Sequence, residues 1–190
     1  MRGFALVLML VLTACGGAQR DGGGAGMVAR NIGRVSGPGG CGIGSALEVS
    51  GVAGVWLTPP ATLSRDEAQK LNAWVRDRAI PLVGRRGGGL SELTVAASYA
   101  CRTRNSRPGA RLSEHAKGNA IDISGFVLRD GSRVTVKEGW GRGADGELLA
   151  RLRRSACGPF GTVLGPGSDG HHLDHFQLDA ARYRSGPYCR

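Results

Sequence analysis

No apolar run in this 190-residue chain is long enough to cross a bilayer as a helix. The run from Phe4 to Leu12 falls well short of the roughly 20 residues that a span needs. Nothing repeats along the sequence, which excludes a solenoid or a propeller. No C-x2-C pair occurs, so the signature of a zinc knuckle is missing. Acidic side chains are scarce: 15 Asp and Glu stand against 25 Lys and Arg, for a formal charge of +10. Histidine is rarer still, with four in the chain.

What is present begins at the N-terminus. Arg2 supplies a positive charge, Phe4–Leu12 a short apolar run, and Leu12-Thr13-Ala14-Cys15 reads as a lipobox. A segment of this shape is a removable export signal. It predicts cleavage before Cys15 and lipidation of that cysteine, hence an envelope lipoprotein anchored to a membrane. Gly16 follows the cysteine where an inner-membrane retention Asp would stand, which allows an outer membrane and a periplasmic site. Removing residues 1–14 from 190 leaves 176, with 24 basic against 15 acidic side chains. That is enough chain for one domain with a real core. Residues 15–40, rich in Gly and poor in large apolar side chains, read as a tether. Residues 41–190 read as the domain.

The basic balance points to a polyanion. Nucleic acid is not expected for an exported chain, so peptidoglycan, another anionic wall polymer or anionic lipid is the expected partner. The bland alternative is that Arg is simply used heavily throughout. Cys41, Cys101, Cys157 and Cys189 remain once Cys15 is set aside. An even number in an oxidising compartment predicts disulfides, in one of three connectivities. We favour Cys41–Cys101 and Cys157–Cys189, since the second would pin the C-terminus to the end of a helix. A four-cysteine zinc site competes, but the spacing is too wide for it.

Helical and strand periodicities alternate along the domain. Ser64 and Glu67 form a capping-box pattern, with Leu63 placed to staple onto Ala68. Ala68, Leu71, Trp74 and Val75 then share one helical face, and Pro81 is expected to end the helix. Leu93–Tyr99, Ala120–Leu128 and Arg133–Val136 read as strands, the last two joined at Asp130-Gly131. Glu147–Ala156 reads as a helix with Gly158 beyond it. Phe160–Leu164 and Asp174–Asp179 complete the pattern. The expected architecture is α+β, a single domain with a twisted, mainly antiparallel sheet flanked by helices.

Three of the four histidines, His171, His172 and His175, fall in five residues beside Asp174 and Asp179. The fourth, His115, precedes a turn at Lys117-Gly118-Asn119. Asp122 follows on a strand, sharing a face with the small Ala120. Imidazole nitrogen and carboxylate oxygen both suit Zn²⁺. On a strand, His175, Gln177 and Asp179 also share a face.

Ser113, His115, Gly118, Ala120 and Asp122 match S-x-H-x-x-G-x-A-x-D, which resembles the zinc signature of the hedgehog/D-alanyl-D-alanine peptidase superfamily. Ser98–Asn105, the His115 segment, Thr162–Pro166 and Asp174-His175-Phe176 together resemble the bacterial extensin-like C-terminal domain family, from about Cys41 to Cys189. The resemblance implies a hedgehog/DD-peptidase-like fold and Zn²⁺ held by His115, Asp122 and the last histidine of an H-x-H pair. A water held at the fourth zinc position would attack an amide. A nearby His or acid, with His172 and His175 the candidates, would move the proton. Arg102 would hold a substrate carboxylate or an oxyanion. The pair here reads His175-Phe176-Gln177, so the third ligand position carries an amide. Gln177 then binds weakly, His175 or His172 takes over, or the metal is lost. Arg104 and Arg107 read as surface charges. Two functions compete: a zinc-dependent hydrolase of cell-wall peptide, and a wall-binding lipoprotein that keeps the fold without catalysis.

Overall fold

The structure is a computed structural model that describes residues 26–190. The lipobox, the expected signal and the start of the expected tether lie outside the described residues. The strands are β1 (Val28–Ser36), β2 (Gly42–Val52), β3 (Val55–Ser64), β4 (Leu90–Ala97), β5 (Ala120–Leu128), β6 (Arg133–Thr135), β7 (Thr162–Leu164), β8 (Phe176–Asp179) and β9 (Tyr188–Cys189). They form one sheet in the order β1-β2-β3-β4-β5-β8-β7-β9, with β6 also on β5. Only β3–β4 and β7–β9 pair in parallel among the described strands. The expected α+β class and mainly antiparallel sheet are therefore present.

Strands β1, β2, β3 and the two-residue β9 escape the sequence pattern, the longer three for physical reasons. In β2 the alternation is broken by Gly and Ser. In β3 the run Thr58-Pro59-Pro60 reads as a loop, because proline cannot donate to a ladder. The prolines sit in the gap of the β2–β3 register between Val49 and Gly51. Residues 28–36, within the segment read as a tether, form the edge strand β1 on β2. Its side chains are half-buried at best. Backbone hydrogen bonds and not apolar burial hold it, which is why composition suggested a tether. The folded unit thus starts before Cys41.

Helix α1 (Arg65–Trp74) starts at Ser64, whose Oγ accepts from Glu67 N at 3.3 Å. The capping box is not completed, because Ser64 N–H donates to Gly118 O at 2.7 Å. The Glu67 carboxylate is instead buried with neither oxygen hydrogen-bonded. Pro81 does not end the helix. A π turn at Val75–Ala79, in which Ile80 N–H reaches Val75 O, precedes α2 (Ile80–Val83). The wider turn accommodates a proline that would otherwise clash with the preceding turn. Gly84, at φ 59°, stops the chain instead. Two further helices follow, α3 (Val136–Gly139) and α4 (Gly143–Ala156), the latter starting a turn before Glu147.

The core lies between the sheet and these helices. Leu71, Trp74, Leu149, Leu152, Phe126, Phe160 and Phe176 are buried in it. Each such side chain contributes about 1.5–3 kcal/mol by leaving water. Trp74 meets Phe160 edge-on at 6.1 Å and donates its Nε1–H to Ser155 Oγ at 3.0 Å. It is a core residue, as its helical position predicts. The disulfides are Cys41–Cys101 and Cys157–Cys189, with Cα separations of 5.5 and 6.0 Å. The second joins the residue after α4 to β9, as expected.

Candidate functional site

The expected site residues converge at one end of β5 and β8. His115 lies in a short 3₁₀ turn, Glu114–Lys117, capped by Ser113 Oγ. The turn ends at Gly118 in the left-handed conformation, φ 68°. A Cβ there would collide with the Ile43 side chain and come within 3.0 Å of Ser64 N. The glycine of the motif is thus required by backbone and packing, not by chemistry. Beyond it, β5 carries Asp122 directly across from Gln177, and Ala120 across from Asp179. Phe176 and Leu178 point into the core, which turns His175, Gln177 and Asp179 to the other face.

His115 is fully buried. Its Nδ1 is 2.6 Å from the Ser98 carbonyl oxygen, which fixes the N–H on Nδ1 and leaves Nε2 with its lone pair. Nε2 stands 3.2 Å from Asp122 Oδ1. The two are out of line for a hydrogen bond, so both are buried without a hydrogen-bond partner. Zinc ligand atoms at tetrahedral angles and ordinary bond lengths lie about 3.3 Å apart, so this spacing fits two ligands of one ion. Burial works against a charged His115 ring, but the Asp122 carboxylate and Ser98 carbonyl outweigh it and hold its pKa above the ordinary value.

His175 approaches the same carboxylate from the other side, with Nε2 3.7 Å from Asp122 Oδ2. Its Nδ1 is 2.8 Å from Asp174 Oδ1, and that contact, with burial opposing it, holds Asp174 below the usual carboxylate range. Asp122 therefore stands between two imidazoles. Among the described residues, no three His, Cys, Asp or Glu side chains are yet gathered closely enough to enclose an ion.

Gln177 is engaged elsewhere. Its Oε1 lies 3.3 Å from His172 Nε2, and its Nε2 donates to Asp179 Oδ2 at 3.3 Å. His172 Nδ1 is 2.6 Å from Asp169 Oδ1. Burial raises the Asp169 pKa, but the His171 N–H and His172 ring outweigh it and leave it lowered. Burial pushes the Asp179 carboxyl up. The result is a polar chain, Asp169–His172–Gln177–Asp179, beside the His115–Asp122–His175 group. Arg102 lines both the cleft of about 170 Å³ containing His172 and Gln177 and the adjoining hollow containing Asp122 and His175. His171 lines only the hollow.

Asp169 and the Ser98 carbonyl were missed in the sequence. Asp169, three residues before His172, offered a faint signal. A backbone carbonyl offers none.

Arranged this way, two imidazoles flank one buried carboxylate beside a second hydrogen-bonded polar chain. Residues 14–190 match the family described as extensin-like protein C-terminus, and the chain belongs to that family. No curated protein and no solved structure matches it.

Proposed function

We propose that this protein is a zinc-dependent hydrolase of cell-wall peptide, carried by an exported lipoprotein and related to the hedgehog/D-alanyl-D-alanine peptidase superfamily. The observation that carries the reading is the pair of buried, partnerless atoms His115 Nε2 and Asp122 Oδ1 at ligand spacing. A structural ion pair would align them in a hydrogen bond, whereas two ligands of a cation need not be aligned with each other. His115 and Asp122 hold the ion, and His175 completes the set. Gln177 supports the site and is not a ligand, since both ends of its amide are already taken.

When bound, zinc supplies a Lewis acid that polarises a water and an amide carbonyl near neutral pH. The protein's side chains do the rest. Asp169 fixes the His172 ring, and once substrate displaces the Gln177 amide oxygen from Nε2, that nitrogen takes a proton from the attacking water and returns it to the leaving amine. Gln177 sets the rotation of that ring. Arg102, which makes no ion pair among the described residues, offers its fork to a substrate carboxylate or to the developing oxyanion. A lipid on Cys15 would keep this site in the envelope, facing the wall.

The substitution of an amide at position 177 favours a second reading, a wall-binding protein without catalysis. Peptidoglycan fragments incubated with zinc-loaded protein separate the two. The hydrolase reading predicts new amine and carboxyl ends by mass spectrometry, abolished by a chelator and by His115→Ala. Intact fragments retained by zinc-loaded protein support the wall-binding reading instead.

A further inference from the structure

The cleft continues past the candidate metal site. One wall is a hairpin-like loop, residues 102–112, closed by Arg104 N–H to Arg111 O at 2.9 Å and a Thr103–Leu112 bridge. It carries Arg102, Arg104, Arg107 and Arg111, none of which has a carboxylate partner among the described residues. The opposite wall is the C-terminal segment with Tyr183 and Tyr188, 40% and 49% exposed. Arg104, Tyr183 and Tyr188 line both the inner cleft, with His172 and Gln177, and an outer groove that runs along Ser185–Pro187. Each wall is fixed by a disulfide next to it. Cys41–Cys101 precedes Arg102, and Cys157–Cys189 follows Tyr188. Tyr183 is held by its hydroxyl, 3.0 Å from Thr162 Oγ1, and the Arg190 guanidinium lies 5.6 Å from the centre of the Tyr188 ring.

We propose that this groove is a subsite for a carboxylate-bearing glycan strand, which it would feed past the catalytic cleft. The inference rests on the wall-hydrolase reading for its setting, but its residues are separate from the metal ligands. Half-exposed tyrosines, Tyr188 backed on one face by Arg190, suit the C–H face of a sugar ring. Unpaired guanidinium forks suit carboxylates. Glu114, Asp169 and Asp179 line the floor of the inner cleft. They accept hydrogen bonds from sugar hydroxyls, which leaves the ligand's carboxylates to the arginine wall.

The test is binding of a short oligouronate to the purified full chain, by calorimetry without added zinc. The comparators are a neutral oligosaccharide of the same length, oligoglutamate of the same charge, and single-stranded DNA. The oligouronate should bind at least about ten-fold more tightly than each, since it alone offers both stacking faces and spaced carboxylates. Tyr183→Ala with Tyr188→Ala should weaken it about ten-fold, while Tyr188→Phe, which keeps its ring and loses no anchoring hydrogen bond, should not. Arg104→Ala should weaken binding and flatten its salt dependence. The same affinity should be found with a chelator present, so failure of the metal reading leaves this result intact. Equal binding of oligoglutamate or DNA overturns the proposal, as does indifference to the tyrosine pair.

Discussion

Glu67→Gln should stabilise the protein, and more so as pH rises. Glu67 is fully buried, and neither carboxylate oxygen has a hydrogen-bond partner. Burial first, then the nearby Asp179, pushes its pKa well above the ordinary glutamate value, against the pull of Lys70. A carboxyl raised in this way binds its proton more tightly in the folded state than in the unfolded one. Its contribution is complete below the unfolded pKa and is lost as pH climbs through the folded pKa. Glutamine has the same shape and does not ionise, so it escapes that loss. Every tenfold difference in proton affinity between the folded and unfolded chains corresponds to about 1.4 kcal/mol. In a domain of this size that is roughly 3–6 °C in Tm. Thermal unfolding of both proteins should give nearly equal Tm at about pH 4.5, near the free glutamate pKa, and a variant advantage in mildly alkaline buffer. An equal difference at both pH values, or a less stable variant in alkaline buffer, would refute the reasoning.

Other outcomes follow from the same structure. Cys157→Ser with Cys189→Ser opens a loop of sequence separation 32. Loop entropy puts the cost at about 3–4 kcal/mol, or roughly 7–15 °C in Tm, measurable by calorimetry. Gly118→Ala forces a side chain into the left-handed region against Ile43 and Ser64. It should cost about 2–4 kcal/mol in a denaturant titration, with a like volume tolerated at exposed Gly44. Cys15→Ser should abolish lipid labelling and membrane fractionation. Unchanged fractionation of that variant would sink the lipoprotein reading.

The parts of the fold legible in the sequence were those with one dominant local signal. Ala68, Leu71 and Trp74 repeat at helical spacing, and Ala120–Leu128 is a strand bounded by turn residues at both ends. The strands missed had conflicting signals. Prolines in β3 and glycines in β2 mask an alternation that Val55, Leu57, Ala61 and Leu63 otherwise keep. The Glu67 error was tertiary. The capping box fits the local sequence, but Gly118, more than fifty residues away, takes the Ser64 N–H. The same limit applies at the site. Strand alternation turned His175 and Gln177 to one face, but not the rotation of each side chain. Gln177 shares the strand face opposite Asp122 but spends its amide on His172 and Asp179, a choice set by Asp169 and Asp179 that spacing does not encode.

The central claim is that His115 and Asp122 are ligands of one metal ion, and a zinc titration of the full chain across pH tests it most directly. The account predicts one bound equivalent in the wild type. Affinity should rise with pH as the proton held on His115 by Asp122 and Ser98 is given up. His115→Gln should weaken binding by at least about 100-fold, since loss of a ligand outweighs loss of its supporting partner. Gln177→Ala should bind within about ten-fold of wild type, as a supporting residue does. Zinc binding that survives His115→Gln unchanged, or a wild type that binds no zinc at any pH, would contradict it.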